Sequence, residues 1–276
     1  MVCGSGMCEV EMRPTMVDFF AGIGGFSLGF ERAGARCIAQ VEKDEQCLSV
    51  LGRHWPGVAK YRDVVRYAED GGGDADFFAF GDPCPKHSRA RSNGESRHPD
   101  LSGYCLALVG RFCPRGVVRE NVPAPTVDHF ALALEALGYG TTVVRMDAAP
   151  YTGQSRQRDF IVGLRETTGQ GVRELFQEFT DGCGAYTTKL GTRQVIPALT
   201  THRTRYDSRD CYIWEPEAEG LRILDGDERE AFAGFPAGWS AGFSEATRAR
   251  MFGNSADPHG IEKIARVLTA AHRGNL

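Results

Sequence analysis

No apolar run in the 276 residues approaches the length of a membrane span, and no basic-then-apolar signal pattern opens the chain. Nothing therefore points to a membrane or to secretion, and the expectation is a cytoplasmic or nucleoid-associated protein. The nine cysteines are odd in number and contain no CxxC pair, so neither a disulfide framework nor a zinc site is indicated, and no metal is expected. There are no repeats and no low-complexity tracts. A global excess of positive charge is also missing: the net charge is −4. That argues against a polycationic binder, although for nucleic acids the distribution of charge matters more than its sum.

What is present is an ordinary globular composition, 25% charged and 42% hydrophobic, on a chain long enough for one large and one small domain. Residues 1–13 read as a disordered lead-in. Apolar β-type runs over 15–20, 36–41, 77–80, 116–119, 141–146 and 159–164 alternate with helical stretches over 26–33, 45–53, 101–112 and 126–137. This alternation predicts an α/β fold with a mostly parallel, Rossmann-like sheet covered by helices on both faces. After Leu164 the pattern breaks. Residues 166–220 are polar, rich in Thr and Gly, and show no helical period, which reads as a small irregular domain containing strands. A short helix is expected over 221–234, stopped at Gly234-Phe235-Pro236, and a last one over 258–272 with Ile261, Ile264, Ala265 and Leu268 at helical spacing. The expected division is 14–165, 166–245 and a returning helix within 246–276.

Two segments carry most of the chemistry. Asp18-Phe19-Phe20-Ala21-Gly22-Ile23-Gly24-Gly25 reads as a strand running into a glycine turn that opens a helix. Gly22, Gly24 and Gly25 free the backbone to bend and let a ligand approach closely. Glu42 ends the second strand roughly twenty residues later, where a carboxylate can take both hydroxyls of a ribose. Asp63 follows a third strand and could accept from an adenine amino group. The glycine spacing differs from GxGxxG and no P-loop lysine follows, so an adenosyl ligand without a pyrophosphate, such as S-adenosylmethionine, is favoured over NAD or ATP.

The second segment, Gly81-Asp82-Pro83-Cys84, ends an apolar strand on a cysteine. A thiolate there is a nucleophile, and nearby Lys86 and His87 would lower its pKa, whereas Asp82 would raise it. A structural cysteine fits this segment equally well. Glu120-Asn121-Val122 closes another strand at the same sheet edge, where a buried carboxyl group can act as a general acid. In Gln154-Ser155-Arg156-Gln157-Arg158, alternation would point Arg156 and Arg158 into one cleft. Gly253-Asn254-Ser255 precedes the last helix. Two basic stretches, one with Lys86, Arg89, Arg91 and Arg97 and one with Arg203 and Arg205, could track a phosphate backbone or simply be solvated.

These elements, in this order, resemble the C5-cytosine DNA methyltransferase family from Thr15 to the carboxyl-terminal helix. The resemblance implies a cofactor turn from Asp18 to Gly25 with Phe20 packing on the adenine, and Glu42 and Asp63 holding ribose and adenine. It places Asp82, Pro83, Asn254 and Ser255 beside S-adenosylmethionine. It makes Cys84 the nucleophile toward cytosine C6, Glu120 the partner of N3, Arg158 the residue that holds the O2 edge of the base, and Arg156 a residue that helps position the loop or the base. It implies a double-stranded DNA partner, a base flipped out of the stack, and Lys86, His87, Ser88, Arg89, Arg91, Arg97, Arg203 and Arg205 at the DNA. A monomer is expected.

One departure stands out. The family's glutamine after the cysteine is absent, and Cys84-Pro85-Lys86-His87-Ser88 stands in its place. This keeps open an RNA or modified-cytosine acceptor, a donor derived from S-adenosylmethionine, or a catalytically silent DNA-binding relative. Only about thirty to fifty residues are available for target recognition after Leu164. A relaxed target of a dinucleotide or less is predicted, to be read by bisulfite sequencing of DNA from expressing cells. A strict site of about five base pairs or more would contradict it.

Overall fold

The computed structural model describes residues 13–83, 100–123, 126–177, 196–199, 201 and 212–274. The first half runs β1 (Thr15–Phe19), α1 (Gly25–Arg32), β2 (Arg36–Val41), α2 (Glu45–His54), β3 (Ala59–Tyr61), β4 (Phe77–Phe80), α3 (Ser102–Phe112), β5 (Gly116–Asn121) and α4 (Thr126–Ala136). It continues through β6 (Tyr139–Asp147), α5 (Ala149–Thr152), β7 (Gln154–Ser155), β8 (Gln157–Arg165), α6 (Gly169–Leu175) and β9 (Ile196–Pro197). The remainder is β10 (Tyr212–Glu215), β11 (Gly220–Ile223), α7 (Gly226–Phe232), α8 (Glu245–Asn254) and α9 (Pro258–His272).

Seven strands form one sheet in the order β3-β2-β1-β4-β5-β8-β6. β8 runs antiparallel to both of its neighbours, and the pairings from β3 through β5 are parallel. The strand order reverses between β1 and β4, so the crevice beyond their carboxyl ends is the switch point at which such sheets bind ligands. Because helices cover both faces, β4 is buried at every position and reads Phe-Phe-Ala-Phe without alternation. Met16, Phe77, Ala79 and Val118 face a core shared with α1, α6 and α9. Val17, Phe19, Phe78, Phe80 and Val117 face the core under α3 and α4.

The α1 and α9 helices touch at glycines. A Cβ on Gly29 would lie 2.5 Å from Ile261 Cγ2 and 2.9 Å from the Pro258 carbonyl oxygen. One on Gly25 would lie 2.5 Å from the carbonyl oxygen of Ala256. Ile261, Ile264, Ala265 and Leu268, the stripe expected from the sequence, are fully buried in this contact region.

Three elements differ from expectation. The stretch after Leu164 holds a helix, α6, started by Thr168 Oγ1 accepting from Gly171 N–H; Val172 and Phe176 join the sheet core. Residues 221–234 are not one helix. β11 comes first, and α7 begins only where Asp225 and Glu228 form a reciprocal capping box. α8 was not expected, because the buried Arg248 and half-buried Arg250 on it break the apolar period. Its start is nonetheless written in Ser244, which accepts from Thr247 N–H, and in the acid Glu245 that follows. With α2 it builds a third core of Leu51, Trp55, Phe235, Trp239, Met251 and Phe252 against Ala21 and Ile23 of the glycine turn.

Replacing Gly29 by Ala is expected to cost about 1–3 kcal/mol through overpacking. The measurement is a lowered urea midpoint; an unchanged midpoint would show that α1 and α9 are not in close contact there.

Candidate active site

The glycine turn leaves β1 through residues that few side chains tolerate. Phe20 has φ +61°, Gly22 φ +53° and Gly24 φ +90°. A left-handed non-glycine residue costs about 1–2 kcal/mol and persists only where its surroundings enforce it. Here the enforcement is visible. Ala21 N–H donates to the Val41 carbonyl at 3.0 Å, and Gly24 N–H to the Ala21 carbonyl at 2.7 Å. Trp239 Nε1–H donates to the Ile23 carbonyl at 2.9 Å. A Cβ on Gly24 would strike the Trp55 ring at 2.4 Å, whereas one on Gly22 would meet nothing within 4 Å. Gly22 therefore borders open space, as a cofactor cradle requires.

Glu42, half-buried at the end of β2, accepts from Gly22 N–H at 2.8 Å through one oxygen. Its other oxygen accepts from the N–H groups of Lys43 and Asp44. Its carboxylate is thus fixed at the crevice beside the turn. Asp63 is exposed and accepts from Val65 N–H, which places it just past β3 on the same sheet edge.

Asp18 is elsewhere than expected. It is fully buried beneath the turn, where Oδ2 accepts from both N–H and Oγ–H of Ser27 in the first turn of α1. It anchors the helix and does not face the crevice. Burial pushes its carboxyl up to about 7 against the lowering effect of the two Ser27 bonds, with the Glu42 charge adding to the rise.

The Gly81-Asp82-Pro83 segment leaves β4 next to the turn, with Gly81 N–H donating to the Phe19 carbonyl at 3.2 Å. The Asp82 side chain also departs from expectation: it is buried and paired with Arg119 of β5. Cys84, Lys86, His87, Ser88, Arg89, Arg91, Arg97, Arg203 and Arg205 lie outside the described residues.

β5 and β8 bring the third and fourth motifs together. Glu120 forms an ion pair with Arg158 at 2.7 Å, both side chains largely shielded from water. Arg156 does not point into the cleft alongside Arg158. It is buried, and its guanidinium donates to the carbonyls of Gly253 at 3.2 Å and Ser255 at 2.7 Å. Burial first, and then the neighbouring Arg158 charge, pull Arg156 down to about 9. Arg156 is thus a strap on the carboxyl end of α8, at Gly253-Asn254-Ser255. Asn254 is exposed there, and Ser255 turns inward, its Oγ–H donating to the Phe252 carbonyl.

Gln154 ties the same strand end to the later segment, donating to the Phe232 carbonyl and accepting from Leu199 N–H. The sequence reading passed over Arg119, Trp55 and Trp239. A charge inside an apolar strand was the available signal for Arg119, and the Trp three residues after Pro236 was the one for Trp239. Among the described residues, no group of three or more His, Cys, Asp or Glu side chains is placed to hold a metal.

Residues 14–181 match the family model for C-5 cytosine-specific DNA methylase, and the chain belongs to that family. It is 25% identical to the Type II methyltransferase M.NgoMIV of Neisseria gonorrhoeae, over 94% of this chain and 98% of that one. It is 31% identical to the Type II methylase M.HgiEI of Herpetosiphon aurantiacus over 54% of this chain, but spans only 37% of that relative. Its fold is that of a Spodoptera frugiperda DNMT2 variant (TM-score 0.69, 12% identity, 92% of this chain and 99% of that one). It is also that of a putative DNA modification methyltransferase from an Escherichia coli prophage (TM-score 0.63, 16% identity, 96% and 100%).

Asp18 supplies a pH test. Unfolded, it titrates near 3.8, and folded near 7, so between those values the folded state holds a proton that the unfolded chain has lost. Stability from this group is full below about pH 4 and lost as pH rises through about 7. Asp18→Asn removes the titration, so its stability relative to wild type should climb across that window by up to a few kcal/mol. Urea midpoints at several pH values provide the measurement; parallel curves would contradict the assignment.

Proposed function

We propose that the chain is an S-adenosylmethionine-dependent DNA (cytosine-5-)-methyltransferase. The observation that carries the reading is the convergence at one sheet edge. The strained glycine turn with Glu42, the root of the Pro83-Cys84 segment and the Glu120 ion pair with Arg158 lie at the carboxyl edge of the parallel strands, and Arg156 ties the end of α8 to them, which supports a site at the crevice beyond β1 and β4.

The residues present fit the cofactor. Gly22 leaves room for close approach, Phe20 is placed beside it for the adenine, and Glu42 offers a fixed carboxylate for the ribose. Asp63, Pro83, Asn254 and Ser255 complete the surroundings in this reading. When bound, S-adenosylmethionine supplies an electrophilic methyl group. The protein's own part is to make cytosine C5 reactive toward it. The thiolate of Cys84 adds to C6 and breaks the aromaticity of the ring. In this reading Glu120 donates to N3 in its protonated form, in place of the ionised form that pairs with Arg158 in the free protein, and stabilises the charge that develops there. Arg158 holds the O2 edge of the base while orienting Glu120. A base then takes the C5 proton, and Cys84 leaves as the C5–C6 double bond re-forms.

Target recognition is assigned to the 166–245 region apart from α6, which packs with the sheet. The partner is double-stranded DNA with the target base flipped out, contacted by the basic residues from Lys86 to Arg97 and by Arg203 and Arg205. The relatives' description as Type II methyltransferases favours a restriction-modification setting, and a cytoplasmic monomer accords with it.

DNA from an expressing host, digested to nucleosides and weighed by mass spectrometry, tests the reading. A gain of 5-methylcytosine that disappears with Cys84→Ala is expected. A different Cys84-dependent mass would overturn the donor or the acceptor, and no change would overturn the activity.

A further inference from the structure

β5 is apolar until Arg119, yet all six of its residues are buried. The Arg119 side chain is 3% exposed and its partner Asp82 is 1% exposed. Two parallel hydrogen bonds join them, Nε–H to Oδ1 at 2.7 Å and Nη2–H to Oδ2 at 2.6 Å. The same guanidinium lies over the Phe130 ring of α4, 4.4 Å from its centroid. Strand register sets Arg119 opposite Phe80, so it reaches forward to an acid two residues past the end of β4.

A buried ion pair adds little net stability over a well-packed apolar pair, although removing one partner alone is costly. What the pair provides is geometry. A guanidinium fork accepts a carboxylate in a narrow range of orientations, and here the fork is itself fixed by strand and ring. The point so fixed is where the chain leaves the sheet for Pro83 and Cys84. The pairing also cancels a carboxylate charge two residues from the thiol, a charge that would otherwise disfavour the thiolate.

Building on the reading of Cys84 as nucleophile, we propose that Arg119 is a positioning residue for that cysteine, acting through Asp82. It touches neither base nor cofactor in this role. It sets the root of the catalytic segment and removes the neighbouring negative charge.

The test compares the full-length wild type with Arg119→Lys and with the double variant Asp82→Leu, Arg119→Met. Steady-state methylation, the pH profile of kcat and the urea midpoint are read for each. The apolar double variant is expected to keep its midpoint yet lose about tenfold or more in kcat, the scale on which small misplacements act, with KM for S-adenosylmethionine within about twofold. Arg119→Lys keeps the charge and loses the fork. It should hold the acid limb of the pH profile while kcat falls about fivefold or more.

Either variant turning over within about twofold of wild type would overturn the proposal and leave the pair as packing alone. Should the double variant fail to fold, Arg119→Lys decides by itself. A wild type that binds DNA but methylates nothing would remove the functional reading and this inference with it, and that outcome is visible before any variant is compared.

Discussion

The close approach of α1 to α9 at Gly29, and to the segment just before α9 at Gly25, is the contact on which the site depends. Hydrogens replace side chains at both positions, so the Ala256 carbonyl and Ile261 can sit where a Cβ would be. That contact carries Gly253, Asn254 and Ser255, more than two hundred residues distant in sequence, to the glycine turn. Arg156 then straps the two backbone carbonyls from the sheet side. Asp18 holds α1 from below through Ser27. The turn is thus clamped at its helix, its strand and its flank, and the unfavourable φ of Phe20 is sustained by all three.

The opposite side of the crevice is governed by charge. β5 ends in three consecutive buried polar residues, Arg119, Glu120 and Asn121. Strand alternation sends the first toward α3 and α4 and the second toward the returning carboxyl-terminal segment. Each finds compensation: Arg119 in Asp82, Glu120 in Arg158, and Asn121 in the Val122 N–H. Uncompensated, these groups would cost several kcal/mol each. Placed as they are, they put a carboxylate with its guanidinium on one strand end and the root of the cysteine segment on the next.

Much of this was legible beforehand. The six main strands and the carboxyl-terminal helix follow from apolar runs and spacing, because a sheet covered on both faces demands unbroken apolar residues. Gly22 and Glu42 were legible as a pair, since glycine and an acid at that separation leave few other readings. What the sequence hid were contacts made across long separations. Alternation set Arg156 and Arg158 toward one cleft, but Arg156 falls between β7 and β8 and binds the buried carbonyls of Gly253 and Ser255, whereas Arg158 meets Glu120. Asp18 read as a ligand contact because its motif borders the cofactor turn, and its burial depends on Ser27, nine residues on. α8 was missed because Arg248 and Arg250 serve as buried or bridging partners of Glu230 and Asp44, which spoils its apolar pattern.

The claim that most needs testing is that this edge carries a working nucleophile at Cys84. Duplex DNA containing 5-fluorocytosine blocks the removal of the C5 substituent and so captures any protein that has added to C6. Incubated with this DNA and S-adenosylmethionine, the wild-type protein should form an adduct that survives denaturing electrophoresis, and Cys84→Ala should form none. An adduct that persists in Cys84→Ala, or its absence from a wild type shown to bind both S-adenosylmethionine and the duplex, would contradict the account.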